Sequence, residues 1–381
     1  MRRLIAAALF SLGLLIGSVF VGQLAILSEA PRIALATAPF GWSIVPPVTS
    51  SALYGVAMSD RDNGWAVGEG GIILRYDDAE WRQVTSPVTT TLRDVARLSA
   101  TEAWAVGDNG VILHFAAGAW SVAERMDDVD LVAVAAAPDG TIMIAGNTQA
   151  GAKAEGLLLE RHATRGWEAA NWYERVDVPF RFADIDVIYQ GNWTAVGFLG
   201  STNGFGSVTV AEHCELPDPD VVVGVVHCRG LTEIEHVGGS GPRLAVAMGG
   251  DWDDQETWIA TRGGAVDWRR VVRQGRTSVG GGSDIFDPQP GFSTALHDIR
   301  TPAPGEIWAV GASGKIVHYA NKAWQPVDQP GSRATLHALD MLSPDEGWAV
   351  GDKGTILHYA AAAQPRPIFL PMTHRSVLPA R

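Results

Sequence analysis

Gly347-Trp348-Ala349-Val350-Gly351-Asp352-Lys353-Gly354-Thr355-Ile356-Leu357-His358-Tyr359 is a passage that this chain repeats. Its Trp-Ala-Val-Gly quartet stands at Trp65–Gly68, Trp104–Gly107, Trp308–Gly311 and Trp348–Gly351. In every copy an aromatic follows the last glycine by eight positions, at Tyr76, Phe115, Tyr319 and Tyr359. A repeat this regular decides the architecture before any single residue is weighed.

Each half of the passage is a short run rich in β-branched and aromatic residues. Between the halves lie Gly70-Gly71, Asn109-Gly110, Ser313-Gly314 and Lys353-Gly354. Such dipeptides suit two-residue hairpin loops, because glycine takes positive φ without a steric penalty. Each passage is therefore expected to be a β-hairpin. A third run opens on Trp81, Trp120 or Trp324, and a fourth lies upstream, as in Leu92-Arg93-Asp94-Val95, Leu296-His297-Asp298-Ile299 and Leu336-His337-Ala338-Leu339. Four strands per unit of about 40 residues is the pattern of a propeller blade.

The middle of the chain has drifted, but the counting position can be followed through Gly68, Gly107, Gly146, Gly197, Gly249, Gly311 and Gly351. Trp193-Thr194-Ala195-Val196-Gly197 is a clear copy; Ala245-Val246-Ala247-Met248-Gly249 is a weak one. The expected fold is all-β, a seven-bladed β-propeller of four-stranded blades. The last unit lacks its outer tryptophan strand, and Gly41-Trp42-Ser43-Ile44-Val45 stands alone before the first unit with the right composition. The N-terminal strand is thus expected to complete the last blade, closing a propeller over residues 41–361 and removing two exposed sheet edges.

Composition narrows the partner classes. The 381 residues fit one closed β domain, and the formal net charge of -13 argues against a nucleic-acid backbone as partner. Of the 14 tryptophans, most fall in the two repeated strand positions, where they pack between blades rather than wait for a ligand.

The ends differ from the body. Arg2-Arg3 precede an uncharged apolar run, residues 4–27, which as a helix would be about 36 Å long, enough to cross a bilayer. Small residues at Ala34, Ala36 and Ala38 offer cleavage sites near Ala36 or Ala38. Residues 1–40 therefore read as an uncleaved membrane anchor or a cleaved signal peptide, and both place the rest outside the cytoplasm. Residues 362–381 form a Pro-rich tail without strand pattern, expected to be disordered.

Gly347-Trp348-Ala349-Val350-Gly351-Asp352-Lys353-Gly354-Thr355-Ile356-Leu357-His358 resembles the repeat of the photosystem II stability/assembly factor-like propellers, relatives of the BNR/Asp-box and sialidase-type β-propellers. The resemblance covers most of residues 41–361, strongly in units one, two, six and seven. It implies an exported, non-enzymatic propeller that binds other proteins, in some members an assembly intermediate of a membrane complex. The chain departs from the family before the outer strand: where the family has an Asp-Gly-Gly-Lys-Thr-Trp turn, this chain has Asp77-Asp78-Ala79-Glu80-Trp81 and Ala116-Ala117-Gly118-Ala119-Trp120.

The repeats themselves act as the control for site residues. His114, His318 and His358 share one strand slot, filled by Arg75 in the first unit, and so read as blade construction. Asp60-Arg61-Asp62-Asn63-Gly64 looks like the start of a calcium loop, but its counterparts in other units are ordinary turns. The innermost strand is more varied. One position after its leading apolar residue stand Tyr54, Arg93, Val132, Ala183, Thr232, His297 and His337; the next carries Asp94, Asp184, Glu233 and Asp298, with Asp340 further on. A ring of mixed Tyr, Arg, His and carboxylates around an axial mouth is the expected place for a partner or ligand. Cys214 and Cys228 are the two cysteines, and in an exported protein an even count favours a disulfide; His213 and His227 beside them leave a metal site as a rival, and free thiols as another. Asp251, Asp253 and Asp254 lie in an acidic stretch without counterpart in other units, a weak candidate for calcium against a solvated turn.

The reading that results is an exported, monomeric, non-enzymatic propeller without a cofactor, binding a protein or cell-envelope component through its axial face or inserted loops. Two alternatives stay open. A lectin would use exposed tryptophans such as Trp172 or Trp252, and a sialidase-like glycoside hydrolase would need three arginines crowding one axial mouth.

Overall fold

Residues 41–149, 156–162, 166–169, 180–189, 192–199, 208–214, 230–234, 244–250, 254–261, 266–272, 295–303, 305–321, 323–327 and 331–361 are described by the computed structural model. The expectations for residues 1–40 and 362–381, and for Cys228, Asp251, Asp253, Trp172 and Trp252, lie outside them. Among the described residues no helix is long and apolar enough to cross a membrane.

The Trp-Ala-Val-Gly quartets are strands buried along almost their whole length, as in Glu346–Gly351 and Glu306–Gly311. A strand apolar on both faces needs cover on both faces. Neighbouring sheets supply it. The strands assemble into seven antiparallel sheets, six of four strands and one, Leu244–Gly250 with Asp254–Thr261 and Val266–Val272, of three described strands. The first strands of the sheets pack in sequence order: Leu53–Asp60 on Leu92–Ser99, then Val129–Ala136, Phe180–Tyr189, Leu244–Gly250, Leu296–Ala303, Leu336–Ser343, and from there back onto Leu53–Asp60. We number the sheets 1 to 7 in that order.

The core sits between sheets rather than within one. Trp65, Val67 and Ile73 of sheet 1 pack with Leu92, Leu113, Phe115 and Trp120 of sheet 2, and Leu53, Leu74 and Trp81 of sheet 1 pack with Trp348, Val350 and Ile356 of sheet 7. Trp308 and Trp348 are each only 1% exposed. Gly41–Val45 pairs with Ile356–Ala360, in register Gly41↔Ala360 to Val45↔Ile356, so the N-terminal strand joins the C-terminal sheet as expected. Trp42 enters the core there, with its ring 5.9 Å from Trp308 and 5.3 Å from Tyr359.

The hairpins are joined by three-residue turns, Glu69–Gly71, Asp108–Gly110, Ala312–Gly314 and Asp352–Gly354, and not by the two-residue loops expected, with positive φ at Gly70 (68°), Asn109 (56°), Ser313 (56°) and Lys353 (59°). Gly354 follows with φ 67°, and a Cβ on it would run into the main-chain oxygen of Thr49. The repeated histidines are blade construction: His114 and His318 stack on Trp104 and Trp308 at 3.9 Å and bond Glu102 and Glu306 at 3.1 and 2.7 Å. Arg75 takes the same place over Trp65, 4.4 Å away.

One assignment is corrected. Gly230–Ile234, which carries Thr232 and Glu233, is not an innermost strand. It pairs with Val208–Cys214 as the fourth strand of sheet 4, with Glu233 opposite Thr209. Leu231-Thr232-Glu233-Ile234 alternates like the inner strands, but a period of two marks any half-buried strand and does not say which. Of the acidic stretch, Asp254 opens the strand Asp254–Thr261, opposite Val272. Cys214 ends Val208–Cys214 opposite Asn192.

Candidate functional site

Six innermost strands share an irregularity. The register with the second strand slips between Leu53 and Gly55, Leu92 and Asp94, Leu131 and Ala133, Phe182 and Asp184, Leu296 and Asp298, and Leu336 and Ala338. The skipped residues are Tyr54, Arg93, Val132, Ala183, His297 and His337. A β-bulge re-aims the side chain of its extra residue. All six line one cavity of about 400 Å³ at the end of the ring where these strands begin.

One wall is a chain of planar groups from four successive sheets. Arg93 is held by Asp108, through Nε to Oδ1 at 2.7 Å and Nη2 to Oδ2 at 2.9 Å, and this pairing raises its pKa further. Its guanidinium lies 5.3 Å from the Tyr54 ring. Tyr54 meets His337 at 5.1 Å, and His337 stacks on His297 at 5.6 Å with planes 8° apart. Both histidines are anchored, His337 Nε2 to Asp352 at 2.6 Å and His297 Nδ1 to the Leu336 carbonyl at 2.9 Å. Sheets 3 and 4 contribute the small residues Val132, Ala133 and Ala183 to the lining, with exposed Arg181 beside them.

The aspartates one step along these strands are construction as well as lining. Asp94 Oδ1 accepts from its neighbour's N–H at Val95 (2.8 Å), and Oδ2 accepts from Val134 of sheet 3 (2.9 Å). Asp298 repeats the device from sheet 6, accepting from Ile299 and from Leu339 of sheet 7, both at 2.7 Å. Asp340 reaches the N–H of Met58 in sheet 1 at 2.6 Å. Between sheets 3 and 4 the Asn147 amide does the same, bonding both the N–H and the C=O of Phe182. The expectation that Asp94 and Asp298 are mouth ligands is thus corrected: their oxygens already join adjacent sheets. Asp184 accepts from Ile185 at 2.9 Å and lines the cavity.

Burial dominates the electrostatics beneath the mouth. It pushes the Asp94 carboxyl up to about 7, against the lowering by the Val134 N–H and Arg300. It pushes Asp298 up to about 6, against Arg300, and raises Asp340. Burial works against the charge on Arg300, but Asp298, Asp184, Asp186 and Asp340 outweigh it and hold the guanidinium cationic. Its Nη1 bonds Asp298 Oδ1 at 2.6 Å and the Ile299 carbonyl at 2.8 Å.

Tyr54, Arg93, His297 and His337, named from the sequence, line the cavity, and so do Arg181 and Arg300, which the sequence reading did not name. The signal for Arg300 is its spacing, two residues beyond Asp298 and so on the same face of the strand. With Arg93 these make three arginines at one mouth, the number a sialidase-like site needs. They come from sheets 2, 4 and 6, however, and Arg93 and Arg300 are committed to Asp108 and Asp298. Among the described residues no group of three or more His, Cys, Asp or Glu could hold a metal ion.

No family model matches the chain, and no curated protein does. Solved structures do. YCF48 bound to a D1 peptide superposes with a TM-score of 0.57 at 18% identity, covering 85% of this chain and 98% of that one. YCF48 from Cyanidioschyzon merolae gives 0.56 at 17%, covering 84% and 99%. A streptogramin B lyase gives 0.57 at 13%, covering 84% and 97%. The resemblance of the repeat to the photosystem II assembly factor-like propellers therefore extends to the fold, which is β-propeller-like.

Proposed function

We propose that this chain is a seven-bladed propeller that binds a segment of another protein in the axial mouth, and that it is not an enzyme. The observation that carries this reading is the row of six bulges. The fold repeats the bulge, but the residue it aims differs at almost every blade: Tyr54, Arg93, Val132, Ala183, His297, His337. Blade construction would reuse one type, as it does with Trp and His elsewhere. The similarity to YCF48, one of whose structures holds a D1 peptide, supports a polypeptide occupant; at this identity it speaks for the fold, and the protein-binding role is our reading of the mouth. Against catalysis stands the commitment of the mouth's charged groups to structural partners, Arg93 to Asp108 and His337 to Asp352. The apolar run at 4–27 supports export, with residues 1–40 as anchor or signal, 41–361 as the propeller and 362–381 as a tail.

The test is affinity capture from membrane extract with the full chain in detergent, wild type against a variant carrying Arg93→Ala, His297→Ala and His337→Ala. Loss of a specific protein partner by a variant with unchanged circular dichroism supports the reading. Retention of that partner places binding elsewhere on the surface, and turnover of a small-molecule substrate by the wild type overturns the non-enzymatic reading.

A further inference from the structure

The groups around the axial cavity differ in what their polar atoms already do. Asp108 spends both oxygens on Arg93, and Asp94 spends both on N–H donors. Asp298 divides its oxygens among Ile299, Arg300 and Leu339. The Asn147 amide is closed on Phe182 from both ends. Two neighbouring groups keep donors unspent. Among the described residues the Tyr54 hydroxyl has no hydrogen-bond partner, and Arg93, bonded through Nε and Nη2, leaves Nη1 without one.

These donors are held side by side. The Arg93 guanidinium lies 5.3 Å from the Tyr54 ring, and the His337 ring meets Tyr54 at 5.1 Å. Both are bulged residues, on the first strands of adjacent sheets, and both line the cavity. The Arg93 side chain is still 39% exposed. Donors fixed in place and open to solvent lose little side-chain freedom on binding, and they call for an acceptor.

Charge then decides which acceptor. Arg93 is bonded twice by Asp108, and Asp130 of sheet 3 acts on it as well. A carboxylate arriving at Nη1 would therefore meet two acids around one cation. A cation would meet donors, with both Asp108 oxygens already taken. An oxygen without net charge meets neither obstacle. The carbonyl of an amide is such an oxygen, and its two lone pairs can take both donors.

We propose that Tyr54 and Arg93 form a two-donor subsite that holds one amide carbonyl of the bound polypeptide, from its main chain or from a glutamine or asparagine side chain. This rests on the protein-binding reading and names the group that the mouth recognises.

The experiment titrates the full chain in detergent, by calorimetry, with capped pentapeptides Gly-Gly-Xaa-Gly-Gly in which Xaa is glutamine, glutamate, lysine, leucine or glycine. Tighter binding of glutamine than of leucine and glycine assigns the carbonyl to the side chain; equal binding of the three assigns it to the main chain. In both cases Tyr54→Phe, which keeps the ring between Arg93 and His337, is expected to weaken binding about fivefold. Asp108→Asn uncovers the charge on Arg93 and is expected to move the preference toward glutamate. Glutamate or lysine binding more tightly than glutamine to the wild type overturns the proposal, and exposed Arg181 would produce the first of these if it governed the mouth. So does a Tyr54→Phe variant that binds as well as wild type, a preference unmoved in Asp108→Asn, or no binding of any peptide at millimolar concentration. In capture from membrane extract, a partner lost by the Arg93, His297 and His337 variant but held undiminished by Tyr54→Phe sinks this inference alone. A partner held by both variants sinks the reading beneath it.

Discussion

A carboxylate that accepts one N–H from its own strand and another from the next sheet ties two sheets with a single side chain, and Asp94 and Asp298 both do so. Removing one leaves buried donors without acceptors. Asp298→Ala also strands the Arg300 guanidinium, and breaking such a buried pair is expected to cost about 3–5 kcal/mol in urea unfolding; Asp94→Asn, which keeps one acceptor, should cost about 1–3 kcal/mol. The same residues set a pH dependence. Burial holds Asp94 at about 7 and Asp298 at about 6, above about 3.9 for an aspartate in the unfolded chain. The folded state then binds protons more tightly than the unfolded one, so the stability these groups contribute is full below about pH 4 and is lost as pH rises through 6 and 7. The midpoint of thermal unfolding is expected to fall between pH 5 and pH 8, and the fall should be shallower in Asp94→Asn. A rising midpoint over that range would contradict it.

Among the elements, the hairpin between second and third strands was the most legible, because Asn-Gly and Lys-Gly dipeptides prescribe positive φ. Gly354→Ala tests that reading: at φ 67° with the Thr49 oxygen in the way, it should cost about 1–3 kcal/mol of stability in denaturant titration. The inner strands were half legible. The residue after the leading apolar position was found by its variety, while the bulge that aims it left no mark in the sequence. Asp94 and Asp298 were read as ligands because a sequence shows the donor on the same strand and not the one across the sheet boundary. Glu233 was misplaced for a different cause. In the drifted middle, Leu231-Thr232-Glu233-Ile234 copies the inner-strand alternation while pairing as the last strand of sheet 4, and only tertiary packing separates the two.

For the molecule as a whole, the joint that matters is the one between chain ends. Gly41–Val45 covers Ile356–Ala360, and Trp42 fills the space against Trp308 and Tyr359. Trp42→Ala should cost about 3–5 kcal/mol, measured by thermal or urea unfolding, and leave the sheet edge open to association between molecules. A variant as stable and as monomeric as wild type would argue that the last sheet does not need this strand. The register of that joint also decides how the molecule answers a mechanical load. Gly41 lies opposite Ala360, and the Ala361 N–H bonds the Asp345 carbonyl beside them, so the two ends of the domain emerge together on the face away from the cavity. Force applied through the termini therefore peels the strand pair open one hydrogen bond after another instead of shearing all of them at once. In optical-trap pulling the first event should be a low-force release of the N-terminal strand, before the remaining sheets give way.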